Sequence, residues 1–164
     1  MVYDVPLRVR LTCPAPWVDR VTATLLAAGL VPDPVAAVGV SVAPGRQVGD
    51  EVDRWSVDSL PHLLVGVWPH AVEVGPWVVP GVGPCARCVA AATFDARDAA
   101  RPGPLPAPLL SLATGWAARD VADWVRGDTP STWLCSWTLD HTPLPRNRRV
   151  ERHPYCGCAW FEMA

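Results

Sequence analysis

The stretch of residues 61–89 reads PHLLVGVWPHAVEVGPWVVPGVGPCARCV and carries the clearest local signals in the chain. Its first half contains residues 63–67, a continuous apolar run of the kind that forms a buried strand. A second apolar run covers residues 72–79. The stretch then ends on a close pair of cysteines, Cys85-Ala86-Arg87-Cys88. We therefore expect two buried strands that lead into a cysteine-containing turn.

Four of the six cysteines form two tight pairs, Cys85 with Cys88 and Cys156 with Cys158, which are separated by 67 residues. Two such pairs are typical of four thiolates around one tetrahedral Zn²⁺. Because four sulfurs leave no open coordination position, the ion would be structural rather than catalytic. The alternative is two disulfides or simple buried cysteines. A disulfide across the single residue Gly157 is strained, and no secretion signal indicates an oxidising compartment.

The other cysteines and the histidines carry weaker signals. Cys13 and Cys135 stand alone among apolar neighbours, so we interpret them as small buried hydrophobic residues. His153 precedes the second cysteine pair and is placed either to donate a hydrogen bond to it or to shape its loop. His62 and His70 flank a buried run, which favours structural histidines over catalytic ones.

Composition excludes several functional classes. The 164 residues fit one domain, which we divide into a reduced α/β half at 1–80 and a crossover, helix and zinc clasp at 81–164. The hydrophobic content of 50% is too high for a disordered chain, and the apolar runs are too short to span a membrane. A net charge of −2 lacks the footprint of a nucleic-acid binder. With no signal peptide visible, we expect a cytoplasmic protein.

Lysine is absent from the chain, and all 14 basic residues are arginines. The absence of lysine excludes a phosphate-binding loop with an obligatory lysine, a Schiff-base lysine and a lysine general base. No Ser-His-Asp arrangement can be argued from the sequence either, because the histidines lie beside prolines or in loops and match no spacing rule.

Apolar periodicity predicts alternating strands and helices. Strands are expected at 6–12, 36–42, 63–67, 72–79 and 133–139, and helices at 17–30 and 109–125. The polar residues 46–58 are expected to form a loop, with Trp55 at the edge of the core. Residues 93–108 are rich in proline, which predicts an exposed crossover.

The helix expected at 109–125 has a clear apolar face. Trp116 and Trp124 lie near that face by helical spacing, and Asp120 and Asp123 are expected to point toward solvent. The pattern predicts a helix that packs one side against a sheet.

Two surface features are candidates for partner binding. Residues 143–152 form a basic loop or edge hairpin that contains Arg146, Arg148 and Arg149. We interpret it either as a solvated segment or as a dock for an acidic stretch of a peptide or partner enzyme. Nine tryptophans exceed what a small core needs, so some are candidates for exposed anchors at an interface. These are Trp68, Trp77 and Trp160.

Residues 61–89, together with the terminal His153-Pro154-Tyr155-Cys156-Gly157-Cys158, resemble the ThiF-like cyclodehydratase partner proteins of bacterial peptide natural-product clusters. The resemblance rests on the Val-Gly-Pro strand, the Val-Pro-Gly turn, the Gly-Pro-Cys-x-Arg-Cys knuckle and the closing His-Pro-x-Cys-Gly-Cys, and covers about two-thirds of the chain. It implies a truncated ThiF-like, Rossmann-type α/β sheet with a zinc-clamped C-terminal half. It also implies a place beside a YcaO-type enzyme that makes thiazole- and oxazole-modified peptides and thiopeptides.

The chain departs from nucleotide-binding relatives at its first turn, which reads Thr12-Cys13-Pro14-Ala15-Pro16-Trp17 where a Gly-x-Gly-x-x-Gly-like turn is expected. The prolines remove N–H donors, and Trp17 fills the space of a phosphate. No acidic residue for a ribose is evident after a second strand. Residues 31–59 are too few for the remaining Rossmann elements. These departures predict a nucleotide-free relative.

The sequence therefore predicts a non-catalytic, zinc-containing partner or scaffold protein of ribosomal peptide natural-product biosynthesis. It would bind a precursor leader peptide or a YcaO-type modifying enzyme, through a strand edge or an aromatic groove. An ATP-dependent cyclodehydratase or adenylating subunit is the alternative. A nucleic-acid-binding zinc ribbon is disfavoured by the acidic charge balance. A homodimer is a further expectation, because truncation would expose apolar surface.

Overall fold

The computed structural model describes residues 6–92 and 106–158. Along the chain, the elements are β1 (Leu7–Thr12), α1 (Ala15–Ala27), β2 (Leu30–Pro32), β3 (Gly39–Pro44), α2 (Asp50–Val57), β4 (His62–Trp68), β5 (Ala71–Val78), α3 (Ala86–Ala91), α4 (Ala107–Arg126), β6 (Cys135–Leu139) and β7 (Arg146–Arg149). No helix in these two ranges is long and apolar enough to cross a membrane.

The strands form one sheet in the order β2-β1-β3-β4-β5-β6-β7. The strands β2, β1, β3 and β4 pair in parallel, and β5, β6 and β7 extend the sheet by antiparallel pairing. Helices α1 and α2 connect successive parallel strands, as is usual where strands must cross over the sheet. The α/β class expected from the sequence is confirmed, and the parallel half has Rossmann-like topology.

The main core lies between one face of the sheet and the helices α1 and α4, which contact each other. Strand residues alternate between faces, and this face carries the apolar set of β1, β3, β4 and β5. Val21 and Leu25 of α1 and Val121 of α4 are fully buried against it. Burial of this apolar surface is the main favourable contribution to folding.

Helix α2 covers the opposite face, so the loop predicted for 46–58 is wrong over most of its length. Asp50, Glu51 and Asp53 lie in its first turn, where carboxylates interact favourably with the helix dipole. Trp55 is buried against β3. A Cβ at Gly39 would lie 2.7 Å from the indole Cζ3 of Trp55, so glycine allows the ring to contact the strand backbone.

The expectation that Asp120 and Asp123 point toward solvent is also wrong. Asp120 is fully buried and accepts hydrogen bonds from the backbone N–H and hydroxyl groups of Ser131 and Thr132, at 2.6–3.2 Å. Asp123 is 8% exposed and pairs with Arg126. Helical spacing identified the apolar stripe of α4, but it does not reveal a loop that wraps over the polar side.

Tryptophan pairs join α4 to the sheet, as its apolar face predicted. Trp116 lies 5.4 Å from Trp137 between ring centroids, and Trp124 lies 5.3 Å from Trp77. Trp124 is also nearly parallel to Trp133, at 6.4 Å. These contacts bury large aromatic surface on both sides of the helix–sheet interface.

Other expectations differ from the structure in detail. The strand expected at 36–42 is observed as β3, and the short strand β2 was not anticipated. Residues 31–59, expected to be too few for the remaining Rossmann elements, contain one further strand, β3, and one helix, α2. The crossover expected at 93–108 lies outside the described residues except for 106–108. His62 is fully buried with Nδ1 2.8 Å from the Leu60 carbonyl oxygen, and burial lowers its pKa.

We predict that Asp120→Ala lowers the free energy of unfolding by about 3 kcal/mol, because four donors of the 131–132 segment lose their acceptor. Asp120→Asn keeps one acceptor oxygen, so its free energy of unfolding is expected to fall by roughly half as much. Urea denaturation followed by tryptophan fluorescence measures both variants. An Asp120→Ala protein as stable as the wild type would contradict this role.

Candidate metal centre

Four cysteine thiols from two distant segments lie together at the start of α3. The Sγ atoms of Cys85, Cys88, Cys156 and Cys158 all lie within 4.8 Å of one another. The shorter separations are 3.3 Å for Cys88–Cys158, 3.5 Å for Cys85–Cys156 and 3.7 Å for Cys85–Cys88. All four thiols are free, so the disulfide alternative is not what the structure contains.

This donor set fits a tetrahedral thiolate site. A Zn–S bond of about 2.3 Å places the sulfurs of a ZnS₄ tetrahedron about 3.8 Å apart. The three shortest Sγ separations, 3.3–3.7 Å, approach that value, the others stay within 4.8 Å, and all are far from the disulfide bond length of about 2.05 Å. The four residues could therefore hold one metal ion with no open position.

Backbone geometry supports each half of the cluster. Cys85 is the N-cap of α3, and its carbonyl oxygen accepts from the N–H of Val89 at 3.2 Å. In the C-terminal loop, the N–H of Cys156 donates to the carbonyl oxygen of His153 at 3.0 Å, and Tyr155 N–H donates to the ring Nδ1 of His153 at 3.3 Å. His153 therefore shapes the loop that presents the second pair.

Two arginines fasten the cluster to its surroundings. Arg152 donates from Nε to the carbonyl oxygen of Gly83 at 2.7 Å and from Nη2 to that of Gly81 at 3.1 Å, so the two cysteine-bearing loops also meet through hydrogen bonds. Arg87, between the first two cysteines, forms a bidentate pair with Asp53 of α2 at 3.0 and 2.6 Å. The cluster thus connects α2, α3 and the C-terminal loop.

The thiols do not ionise equally. Burial raises the pKa values of Cys85 and Cys158. Burial also opposes ionisation of Cys156, but the backbone N–H of Cys158 and the neighbouring thiols outweigh it, so the Cys156 pKa is lowered. The Cys156 thiol therefore ionises more easily than those of Cys85 and Cys158, and a bound divalent cation would stabilise several thiolates at once.

Cys13 and Cys135 lie outside the cluster, and both are half-buried. Burial raises the pKa of Cys13 to about 11, so it stays a thiol at neutral pH. The Sγ of Cys135 lies 3.3 Å from the carbonyl oxygen of Ser131. Both were expected to be small buried hydrophobic residues; Cys13 does pack against the main core, but neither side chain is fully buried.

The candidate partner-binding tryptophans are placed differently from one another. Trp77 is only 1% exposed, because β5 carries it into the core against Trp124, so its interpretation as an exposed anchor is wrong. Trp68 is half-buried and lies under the guanidinium of Arg46, at 5.5 Å from Cζ to the ring centroid. Trp160 lies outside the described residues.

The basic run forms the edge strand β7. Arg146 and Arg149 are largely exposed, with 67% and 77% of their side chains accessible, and Arg148 is 40% accessible. Arg146 pairs with Asp140, and the N–H and hydroxyl of Thr142 lower the Asp140 pKa more strongly than that arginine does. Of the two alternatives that the sequence left open for 143–152, a loop or an edge hairpin, the structure contains the hairpin, because β6 and β7 pair antiparallel.

A buried charged cluster on the sheet had no sequence signal. Glu73 of β5 is 3% exposed, and its Oε2 accepts from both Nε and Nη2 of Arg46. Its Oε1 lies 3.9 Å from Nη2 of Arg148. A Cβ at Gly66 would overlap the Gly45 carbonyl oxygen, so glycine lets the loop after β3 approach the sheet here. Only the folded sheet brings these charges together, from residues 27 and more positions apart.

The turn between β1 and α1 offers few groups for a phosphate. Pro14 is the N-cap of α1, and Pro16 lies in its first turn, so neither provides an N–H. The N–H groups of Trp17 and Val18 already donate to the Pro14 carbonyl oxygen, at 2.9 and 3.1 Å. The anion-binding capacity usual at such a helix start is therefore reduced. The expectation that no acidic residue follows a second strand is wrong, because Asp33 directly follows β2, where it pairs with Arg8 at 2.5 Å.

Comparison with solved structures identifies proteins that share the fold. A heterocyclase in complex with substrate and cofactor matches with a TM-score of 0.70 and 19% identity, over 94% of this chain and 26% of that chain. The heterocyclase TruD matches with 0.67 and 21%, over 93% and 27%. E. coli MccB with SeMet MccA matches with 0.57 and 14%, over 79% and 44%. MccB has also been solved with ATP.

These likenesses confirm the fold expected from the resemblance to ThiF-like partner proteins. The chain spans about a quarter of the length of the heterocyclase chains and under half of MccB. No protein-family profile and no curated protein sequence matches it.

We predict that Arg46→Met lowers the free energy of unfolding by about 3 kcal/mol, because it removes the close partner of the buried Glu73 carboxylate. The double variant Arg46→Met/Glu73→Gln is expected to recover most of that loss, since the buried charge is gone as well. Urea denaturation of these two variants, of Glu73→Gln alone and of the wild type gives the four free energies of unfolding of a double-mutant cycle. Equal stability of Arg46→Met and wild type would contradict the ion-pair role.

Proposed function

We propose that this chain is a non-catalytic, zinc-containing accessory protein of ribosomal peptide natural-product biosynthesis. It binds a precursor leader peptide or a YcaO-type modifying enzyme and acts as a scaffold. The observation that carries the proposal is the match of nearly the whole described fold to two heterocyclases, at TM-scores of 0.70 and 0.67. A role in the reducing cytoplasm suits its free thiols.

The assignment of zinc rests on the chemistry of the four sulfurs. Cys85, Cys88, Cys156 and Cys158 would hold the ion, and tetrathiolate coordination selects Zn²⁺ over the hard cations that prefer oxygen. A closed site supplies folding free energy rather than a reaction centre. Its role would be to join α3 to the C-terminal loop and so complete residues 81–164 as one clasp on the sheet.

The non-catalytic assignment rests on the first turn. Two prolines and two amides already bonded within the helix leave little for a nucleotide phosphate to bind. The competing candidate is an ATP-dependent cyclodehydratase or adenylating subunit. The observation that favours it is the likeness to MccB, a protein that has been solved with ATP. Calorimetric titration with ATP and Mg²⁺ separates the two, because saturable binding would favour the enzyme.

We predict that the zinc-loaded protein binds either the synthetic leader of a precursor peptide encoded beside its gene or the neighbouring YcaO-type enzyme. Fluorescence anisotropy measures the first and analytical ultracentrifugation the second. The same sedimentation run reports whether the chain forms the homodimer that the sequence suggests. A protein that binds neither the leader nor the enzyme would remove the proposed function.

We predict that the protein purifies with one zinc ion per chain and that Cys88→Ser abolishes this stoichiometry, because Cys88 is the fully buried ligand. Cys13→Ser and Cys135→Ser are matched controls, since both cysteines lie outside the cluster and should leave the metal content unchanged. Elemental analysis measures zinc, and cobalt(II) substitution reports tetrahedral thiolate coordination through its visible spectrum.

The same variants test what the metal does. A strong chelator should lower the melting temperature of the wild type and both controls, and Cys88→Ser should unfold at lower temperature without chelator. If the wild type carries no metal and no cobalt spectrum develops, the zinc assignment is wrong.

A further inference from the structure

The strand β7 has an open edge. Among residues 6–92 and 106–158, β6 pairs with one side of β7 and no strand pairs with the other. Such an edge presents a row of backbone donors and acceptors that can pair with another extended chain. Proteins use this geometry to capture peptides by strand addition.

The hydrogen-bond register identifies which backbone groups face outward. The N–H of Val150 donates to the carbonyl oxygen of Leu134 at 2.9 Å, which fixes that pair as hydrogen-bonded. In an antiparallel ladder, hydrogen-bonded and non-hydrogen-bonded pairs alternate along the strand. The pair formed by Arg149 is therefore not hydrogen-bonded, and Arg148, two residues before Val150, again hydrogen-bonds to β6. The N–H and C=O groups of Asn147 and Arg149 therefore point away from the sheet.

The side chains at this edge are basic on both faces. Arg148 and Arg149 are consecutive, so they lie on opposite faces of the strand. Arg149 has its Nε 3.5 Å from Oε1 of Glu151, and both side chains are 77% exposed. Such an exposed pair contributes little free energy, so a partner carboxylate can replace Glu151. Arg148 is 40% accessible, but its Nε and Nη2 atoms are buried and have no hydrogen-bond partner among the described residues, and Nη2 lies 3.9 Å from Oε1 of the buried Glu73. A carboxylate on this face would therefore contact the exposed remainder of the Arg148 side chain.

We propose that β7 captures an extended acidic peptide as an eighth strand of the sheet, with two adjacent Asp or Glu residues opposite Arg148 and Arg149. The peptide backbone pairs with Asn147 and Arg149, and its consecutive carboxylates reach the two faces. This inference rests on the proposed function, since it names how the chain would hold a leader peptide.

Charge argues against a second copy of the chain as the occupant. Three of the four residues of β7 are arginines. Antiparallel pairing of two such strands through the outward groups of Asn147 and Arg149 would place Arg148 of one copy opposite Arg148 of the other, and like charges directly opposite are destabilising. An acidic strand removes that repulsion and adds charge-assisted hydrogen bonds.

The test uses a fluorescein-labelled peptide of about ten residues in which valine and threonine flank two adjacent glutamates. A second peptide carries glutamines in their place, and a third carries N-methyl groups on alternate backbone nitrogens. Fluorescence anisotropy with the zinc-loaded protein measures each Kd. Both changes in the peptide are expected to weaken binding by about tenfold or more.

Two variants of the protein test the same contacts from the other side. Arg149→Glu should weaken binding of the glutamate peptide by about tenfold, whereas Arg20→Glu, the same charge change on exposed α1, should leave it within about twofold. Asn147→Pro removes an outward N–H without removing a bond to β6 and should also weaken binding about tenfold. If Asn147→Pro fails to fold, the N-methylated peptide decides the point.

Hydrogen exchange gives an internal control. In the free protein, the Asn147 and Arg149 amides should exchange fast and the Arg148 amide slowly, and peptide should protect the first two. Binding that is insensitive to N-methylation, or absent for the glutamate peptide, overturns the strand addition. If the leader or the modifying enzyme still binds, the proposed function stands without it. Loss of all three interactions removes both.

Discussion

The contact on which the C-terminal half of the molecule depends is the meeting of four thiols from chain segments 67 residues apart. Three pairs of these sulfur atoms lie 3.3–3.7 Å apart, a distance at which two thiolates would repel each other. The proposed ion would bind all four sulfurs as thiolates and so remove that repulsion. Through Arg87 and Arg152, the same cluster is tied to α2 and to the turn before α3, so several otherwise separate elements meet there.

Buried polar groups play a comparable part elsewhere. Asp120 gathers four donors from the segment before β6, and Glu73 receives Arg46 from the loop after β3. Each carboxylate accepts hydrogen bonds from residues that lie outside its own helix or strand. These contacts fix where loops sit on the sheet, whereas the apolar core fixes which elements pack together.

Much of the fold could be predicted from apolar periodicity and turn residues. The strands β1, β4, β5 and β6, and the helices α1 and α4, carry patterns strong enough to locate them. Helix α2 was missed because its amphipathic signal rests on Val52 and Trp55 alone, within a polar stretch. The three residues of β2 are too few to show a period.

The parts of the candidate site that could be predicted are those formed by residues close together in the sequence. Two close cysteine pairs are typical of a thiolate site, and the structure brings the four thiols together. The Arg46–Glu73 pair and the acceptor role of Asp120 were not predictable, because each depends on tertiary neighbours. Trp77 illustrates the same limit, since a tryptophan beside other apolar residues can face either a core or a partner until the sheet is known.

The indoles around α4 have a consequence for the optical properties of the protein. Trp77, Trp124 and Trp133 form a continuous series with centroid separations of 5.3 and 6.4 Å, and the last two rings are inclined by only 13°. Transition dipoles at such spacing and orientation couple electronically. The joint between α4 and the sheet therefore carries its own chromophore assembly, and an exciton couplet in circular dichroism would report its integrity without any added label.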